Sequence, residues 1–210
     1  MWCCSSSAKF LFDSIIGAGG ADTVTVSSDG AMSSNGGSGG IASGICLDNG
    51  YIGNDVVVVK NGLRICGKGA ALGSAPLVQT KSYFEVKVQQ EGTWSVGVGT
   101  RNAVLEGPLG ADPDSWVLKN NGELCFNSMS IGKLDQKIEE GDIIGVSFDH
   151  IELSFYVNGN KGGISFSNVR GTVYPAMYVE EGAVLDVTFD TFIHSPPSGF
   201  DKIMKEKSLL

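Results

Sequence analysis

Gly141-Asp142-Ile143-Ile144-Gly145-Val146-Ser147-Phe148-Asp149-His150-Ile151-Glu152-Leu153-Ser154-Phe155-Tyr156-Val157-Asn158-Gly159 is the stretch whose reading decides the fold. Val146 and Phe148 alternate with Ser147 and Asp149, and Leu153, Phe155 and Val157 alternate with Glu152, Ser154 and Tyr156. A period of two sorts side chains onto the two faces of a strand, and neither run has the three-to-four spacing of an amphipathic helix. Asp149-His150 predicts a tight turn between the runs. Asn158-Gly159 is the strongest hairpin signal in the chain, because asparagine and glycine tolerate the positive φ that a two-residue turn demands.

The same pattern extends outward. Phe84, Val86 and Val88 alternate with Glu85 and Lys87, which predicts a strand with one buried face. Trp94, Val96 and Val98 alternate with Ser95, Gly97 and Gly99, and those glycines leave a flat strip for another backbone or a large side chain. Leu185, Val187 and Phe189 alternate with Asp186, Thr188 and Asp190. Val56 to Val59 is a short apolar run before Asn61-Gly62, and Glu123 to Asn127 follows the Asn121-Gly122 turn. Seven or more short strands bounded by turn chemistry read as an antiparallel β-sandwich. The one hint of a helix is a short one over 133–140.

Composition agrees. Glycine supplies 30 of 210 residues, roughly twice its usual share of about 7%. That disfavours helices, where each glycine costs about 1 kcal/mol. The net charge of 15 − 23 = −8, with Lys and Arg scattered, argues against a nucleic-acid partner. The five cysteines are Cys3, Cys4, Cys46, Cys66 and Cys125. They form no CxxC pair and no disulfide framework, so free thiols, no metal site and a cytoplasmic setting are expected.

From Gly17 to Gly44, nine of 28 residues are Gly and six are Ser. A stretch so poor in apolar area cannot offset chain entropy. The expected organisation is a flexible segment over 1–45, a folded domain over 46–203 and a tail over 204–210. Cys3 and Cys4, beside Trp2 and ahead of Phe10-Leu11-Phe12, are candidates for acylation and a peripheral membrane tether. A pair of unmodified cysteines is the simpler reading and the one favoured.

A search for catalytic chemistry finds little. His150 sits in a turn and His194 precedes Ser195-Pro196-Pro197, with no nucleophile aimed at either. Gly97-Val98-Gly99 and Gly67-Lys68-Gly69 lack the setting of a phosphate-binding loop. Trp94 and Trp116 adjoin apolar strand residues and read as core rather than as stacking platforms. The Arg101–Ser115 stretch, with Pro108, Gly110 and Pro113, is the longest loop expected, and its Val104, Leu105 and Leu109 follow no strand period.

Three stretches, the opening one among them, carry a family likeness. KSYFEVKVQQEGTWSVGVGT (81–100), the 141–159 stretch and GTVYPAMYV (171–179) resemble, in order, the strands of a SPRY domain. The resemblance implies a bent, concanavalin-like jelly-roll sandwich that binds proteins, with no catalytic role and no cofactor. In the SPRY/SOCS-box family the ligand loops correspond here to Gly67–Pro76, Arg101–Asp114 and Glu180–Gly182. The tyrosine and tryptophan that line that family's peptide site have no match, so location carries over and specificity does not. Partner contacts are expected from Lys68, Leu72, Arg101, Leu105, Leu109, Glu180 and Glu181, and the acidic pair would favour a basic or neutral protein or peptide. The alternative is a lectin-like sandwich binding a glycan or small ligand through a polar cluster such as Asp149, His150 and Asn158.

Overall fold

The computed structural model describes residues 44–205. In chain order the strands are β1 (Leu47–Ile52), β2 (Asp55–Val59), β3 (Arg64–Gly73), β4 (Ser82–Gln90), β5 (Thr93–Gly99), β6 (Ser115–Lys119) and β7 (Glu123–Phe126). They continue as β8 (Met129–Lys133), β9 (Ile143–Phe148), β10 (Leu153–Val157), β11 (Asn160–Phe166), β12 (Tyr174–Glu180), β13 (Val184–Thr188) and β14 (Asp201–Lys202). No α-helix forms among the described residues, and 133–140 is the end of β8 followed by bends, not the helix expected there. Cys3, Cys4 and nearly all of the 1–45 segment lie outside the described residues, as does most of the 204–210 tail.

The deciding stretch becomes β9 and β10, paired antiparallel from Phe148↔Leu153 to Ile144↔Val157. Asp149 closes the turn between them: its Oδ1 accepts the amides of Ile151 and Glu152 at 3.0 and 2.8 Å. Asn158 and Gly159, at φ 50° and 78°, make the next hairpin.

One continuous path, β11-β10-β9-β4-β13-β3-β12-β5-β6-β7-β8, runs through both layers. β3 is the hinge: Arg64 and Ile65 pair with β13, whereas Gly69–Leu72 pair with β12. β1 and β2 together run antiparallel to it, from Leu47↔Gly73 to Val59↔Arg64, with a register shift within β1 and an interruption at Gly53-Asn54. The bend falls at Gly67 (φ +93°), where a β-carbon would collide with the Asp55 carbonyl oxygen. Only glycine fits such a site. At the far ends, Ile164 of β11 packs against Gly132 of β8, so the two layers close on one another.

The layers enclose one main core. Phe84, Trp94, Val96, Val98, Trp116, Ile144, Phe148, Phe155 and Met177 are all at most 3% exposed within it. Both tryptophans are therefore core residues. β4 departs from the one-faced strand expected: Glu85 is 2% exposed. The segment after β13 covers it, and its carboxylate accepts the amides of Ile193 and His194 at 2.7 and 2.9 Å and the Tyr83 hydroxyl at 3.1 Å. A buried carboxylate is tolerable only when satisfied in this way.

Candidate partner-binding surface

The loop from Thr100 to Asp114 lies across the outer face of the β3-β12-β5-β6 layer. Its shape comes from short-range chemistry. The Asp112 carboxylate accepts the Asp114 amide at 2.7 Å, the Ser115 hydroxyl at 3.1 Å and the Val104 amide at 3.1 Å. Ser115 Oγ in turn accepts the Gly110 amide at 2.7 Å, and Thr100 Oγ1 donates to Asp114 at 2.6 Å. Aspartate and serine hold turns by such local bonds. Beneath the loop a second small core forms from Ala70, Leu72, Ala103, Leu109, Val117, Cys125, Ala176 and Tyr178.

That core corrects two of the expected contact residues. Leu72 and Leu109 are both 0% exposed and pin the loop to the sheet, so neither side chain is presented to a partner. Leu105 is half-buried, and its carbonyl accepts the Ala70 amide at 2.8 Å. Val104 beside it is 55% exposed.

The remaining expected residues fall into two groups. Lys68 and Glu180 meet at 2.8 Å, and Tyr178 donates to the other Glu180 oxygen at 2.6 Å. The Lys68 bond, then the Tyr178 bond, hold the Glu180 carboxyl below the usual carboxylate range. Burial, then the Glu180 bond, push the Tyr178 phenol up. The acidic edge is thus half neutralised. Glu181 accepts from Thr93 Oγ1 at 2.6 Å.

Arg101 sits at the opposite end of the ladder. Glu180 pairs with Thr93 and Tyr174 with Gly99, six residues away, which is about 20 Å at about 3.3 Å per residue. The Arg101 guanidinium lies between the rings of Tyr51 and Tyr174, 3.6 and 3.9 Å from their centroids, and its Nη2 donates to Asp48 at 3.0 Å. Sequence reasoning missed Asp48, Tyr51 and Tyr174, since no local pattern announces a sandwich built from three separate segments.

Beside Arg101 opens a cleft of about 670 Å³. The 100–114 loop contributes Thr100, Arg101, Asn102 and Asp114; the segment joining β11 to β12 contributes Asn168, Arg170 and Thr172. Trp116 and Phe126, stacked 5.0 Å apart at 10°, also line it. Trp116 Nε1 is buried without a hydrogen-bond partner.

The residues of the lectin-like alternative do not converge. Asp149 and His150 stand at one end of β10 and Asn158 at the other, about 16 Å along the strand. His150 Nε2 lies 2.9 Å from the Gln79 carbonyl, and Asn158 bridges the Ile143 amide and Asp142. No group of three His, Cys, Asp or Glu side chains suited to a metal occurs among the described residues.

Residues 81–192, spanning β4 to β13, match the SPRY domain family. The chain belongs to the SPRY domain family. It is 47% identical over 166 residues to SPRY domain-containing protein 7 of Gallus gallus and of Homo sapiens, covering 78% of this chain and 85% of theirs. Among solved structures it is similar to the SPRY domain of human HERC1, at 20% identity and a TM-score of 0.58 over 67% of this chain and 96% of that one. The TRIM65 PSpry domain matches at 14% identity and a TM-score of 0.56 over 69% and 88%. These structures bear out the bent all-β sandwich. Against the SPRY match, β1 to β3 lie upstream of residue 81, yet β3 joins the two halves of the path.

Proposed function

We propose that this SPRY domain is a non-catalytic interaction module that takes a protein or peptide along the roofed outer face, between the Lys68–Glu180 pair and Arg101. The family is a protein-interaction fold. The observation that carries the reading is the 100–114 loop: its conformation is fixed internally by Asp112 and from below by Leu72 and Leu109, while Val104, Asn102 and Lys68 face outward. A loop already held in one shape loses little entropy on binding, which favours affinity.

The test is proximity labelling with the full chain, followed by binding measurements on whichever partner is recovered. Val104→Asp alters an exposed group, and Lys68→Gln ends an exposed ion pair without setting a new carboxylate beside Glu180. Each should weaken binding by about 1 kcal/mol or more, as contact residues near an interface centre do, with an unchanged melting temperature. Glu181→Lys should slow association with a basic partner, and the change should shrink in high salt. Unaltered affinity in all three variants would sink the assignment.

A further inference from the structure

The cleft beside Arg101 gathers four exposed side chains, Asn102, Asn168, Arg170 and Thr172, whose polar groups bond no other side chain or backbone group among the described residues. Arg101 is charge-neutralised by Asp48 and packed between two tyrosine rings, with only its Nη1 left without a partner, whereas Arg170 has no ion-pair partner there. We propose that this cleft receives an extended peptide segment of a partner protein and reads one Asp or Glu side chain in it. Arg170 receives the carboxylate, and the Asn102 and Asn168 carboxamides hold the peptide backbone.

The assignment follows from matching chemistry. A guanidinium offers a planar fork that fits a carboxylate with two parallel bonds. A carboxamide carries both a donor and an acceptor, the complement of a peptide unit. The charge count favours a single negative charge: one uncommitted cation, Arg170, shares the cleft with the Asp114 carboxylate, which would repel a multiply charged phosphate. A sugar fits less well, because Trp116 is only 3% exposed and offers no open ring face for stacking. The volume, about 670 Å³, lies within the range of roughly 300–1,000 Å³ typical of ligand sites. The walls are set in advance by the tyrosine–arginine sandwich on one side and the Asp112-held turn on the other.

The proposal rests on the interaction-module reading, and one experiment separates their failures. The full-chain protein is panned against a phage-displayed library of random peptides, as wild type and as Arg170→Gln in parallel. Wild type should enrich peptides with Asp or Glu at one fixed position, and Arg170→Gln should lose that enrichment by about tenfold or more, as expected for losing a charge-assisted contact. A synthetic peptide of the enriched sequence, titrated into isotope-labelled full-chain protein, should shift the Trp116 indole and the Asn102 and Asn168 amide signals. Asn168→Ala should weaken binding while keeping the acidic preference. Enriched peptides without a fixed acid, an acid preference that survives Arg170→Gln, or a selection that enriches nothing would overturn the proposal. A peptide that shifts signals only around Lys68 and Glu180 would overturn it too, while leaving the interaction module intact. Saturable binding of a glycan array in place of peptide would overturn both.

Discussion

On its inner face the β3-β12-β5-β6 layer presents Trp94, Val96, Val98, Trp116, Met177 and Val179 to the main core; on its outer face it presents Ala70, Leu72, Ala176, Tyr178 and Val117 to a roof made by its own 100–114 loop. Both faces are dry, but they are made dry differently. The inner face meets a second sheet, and large side chains from both sides interdigitate. The outer face sets Ala70 and Ala176 between Leu72, Tyr178 and Val117, and the loop lies on it, anchored by Ala103 and Leu109. Gly97 shows how tight that layer is: a β-carbon there would strike the Trp116 carbonyl oxygen of the neighbouring strand. The inner face holds the fold, and the outer face holds the 100–114 loop in position.

The most severe way to break this comparison is on the inner side. Trp94→Ala should cost about 3–5 kcal/mol, the usual range for removing a buried Trp or Phe. That is a large share of a typical domain stability of about 5–15 kcal/mol. Denaturant unfolding should show the transition midpoint drop with the slope retained. On the outer side, Leu109→Ala should cost less, near the lower end of about 2–5 kcal/mol, because the loop can settle into the space. Its signature should be local: amide exchange should quicken across 100–114 while the strands stay protected. If Leu109→Ala unfolded the whole domain at Trp94-like cost, the two faces would be a single cooperative core.

The sequence showed the inner face plainly and the outer face hardly at all. Strands with one apolar side facing a core, such as β5, β9, β10 and β13, alternate cleanly and are found from their period. β3 and β6 were not found that way. β5 and β9 are also buried on both sides, but their outward positions include Ser and Gly, which leaves the apolar period visible; in Arg64–Gly73 and Ser-Trp-Val-Leu-Lys both faces carry apolar or small residues, so no alternation shows. Leu72 and Leu109 belong to segments that meet at the outer face, but their burial depends on a roof that only the folded chain supplies. Arg101 was named without its partners, since Asp48, Tyr51 and Tyr174 are joined to it by tertiary structure alone. Arg170 and Asn168 escaped because they lie in a polar connection with no local pattern.

A smaller perturbation sharpens the account of the roof. Asp112→Ala removes the acceptor for Asp114, Ser115 and Val104 without touching the apolar anchors. It should cost about 1–2 kcal/mol, the range for leaving partly buried donors unsatisfied. Exchange should quicken at the Val104 and Asp114 amides before it does at Ala103. Equal protection in variant and wild type would mean that Leu72 and Leu109 alone set the loop, with the aspartate incidental.

The smallest expected effect tests where the outer face ends. Glu180 stands at its margin, bonded to exposed Lys68 on one side and to buried Tyr178 on the other. Both bonds favour the ionised form, so the folded pKa lies below the unfolded one, which is near 4.3 for a model glutamate. The stabilisation this gives is therefore fully present above that unfolded value and is lost as pH falls through the lowered folded value. Titrating the Glu180 side-chain carboxyl by NMR should show a depressed midpoint in wild type, a clear rise in Lys68→Met and a smaller rise in Tyr178→Phe. Neutral-pH stability should barely change in Lys68→Met, because an exposed ion pair contributes little and salt screens it. A midpoint that rose more in Tyr178→Phe than in Lys68→Met would mean that the roofed face reaches past Tyr178 and shelters Glu180 from solvent.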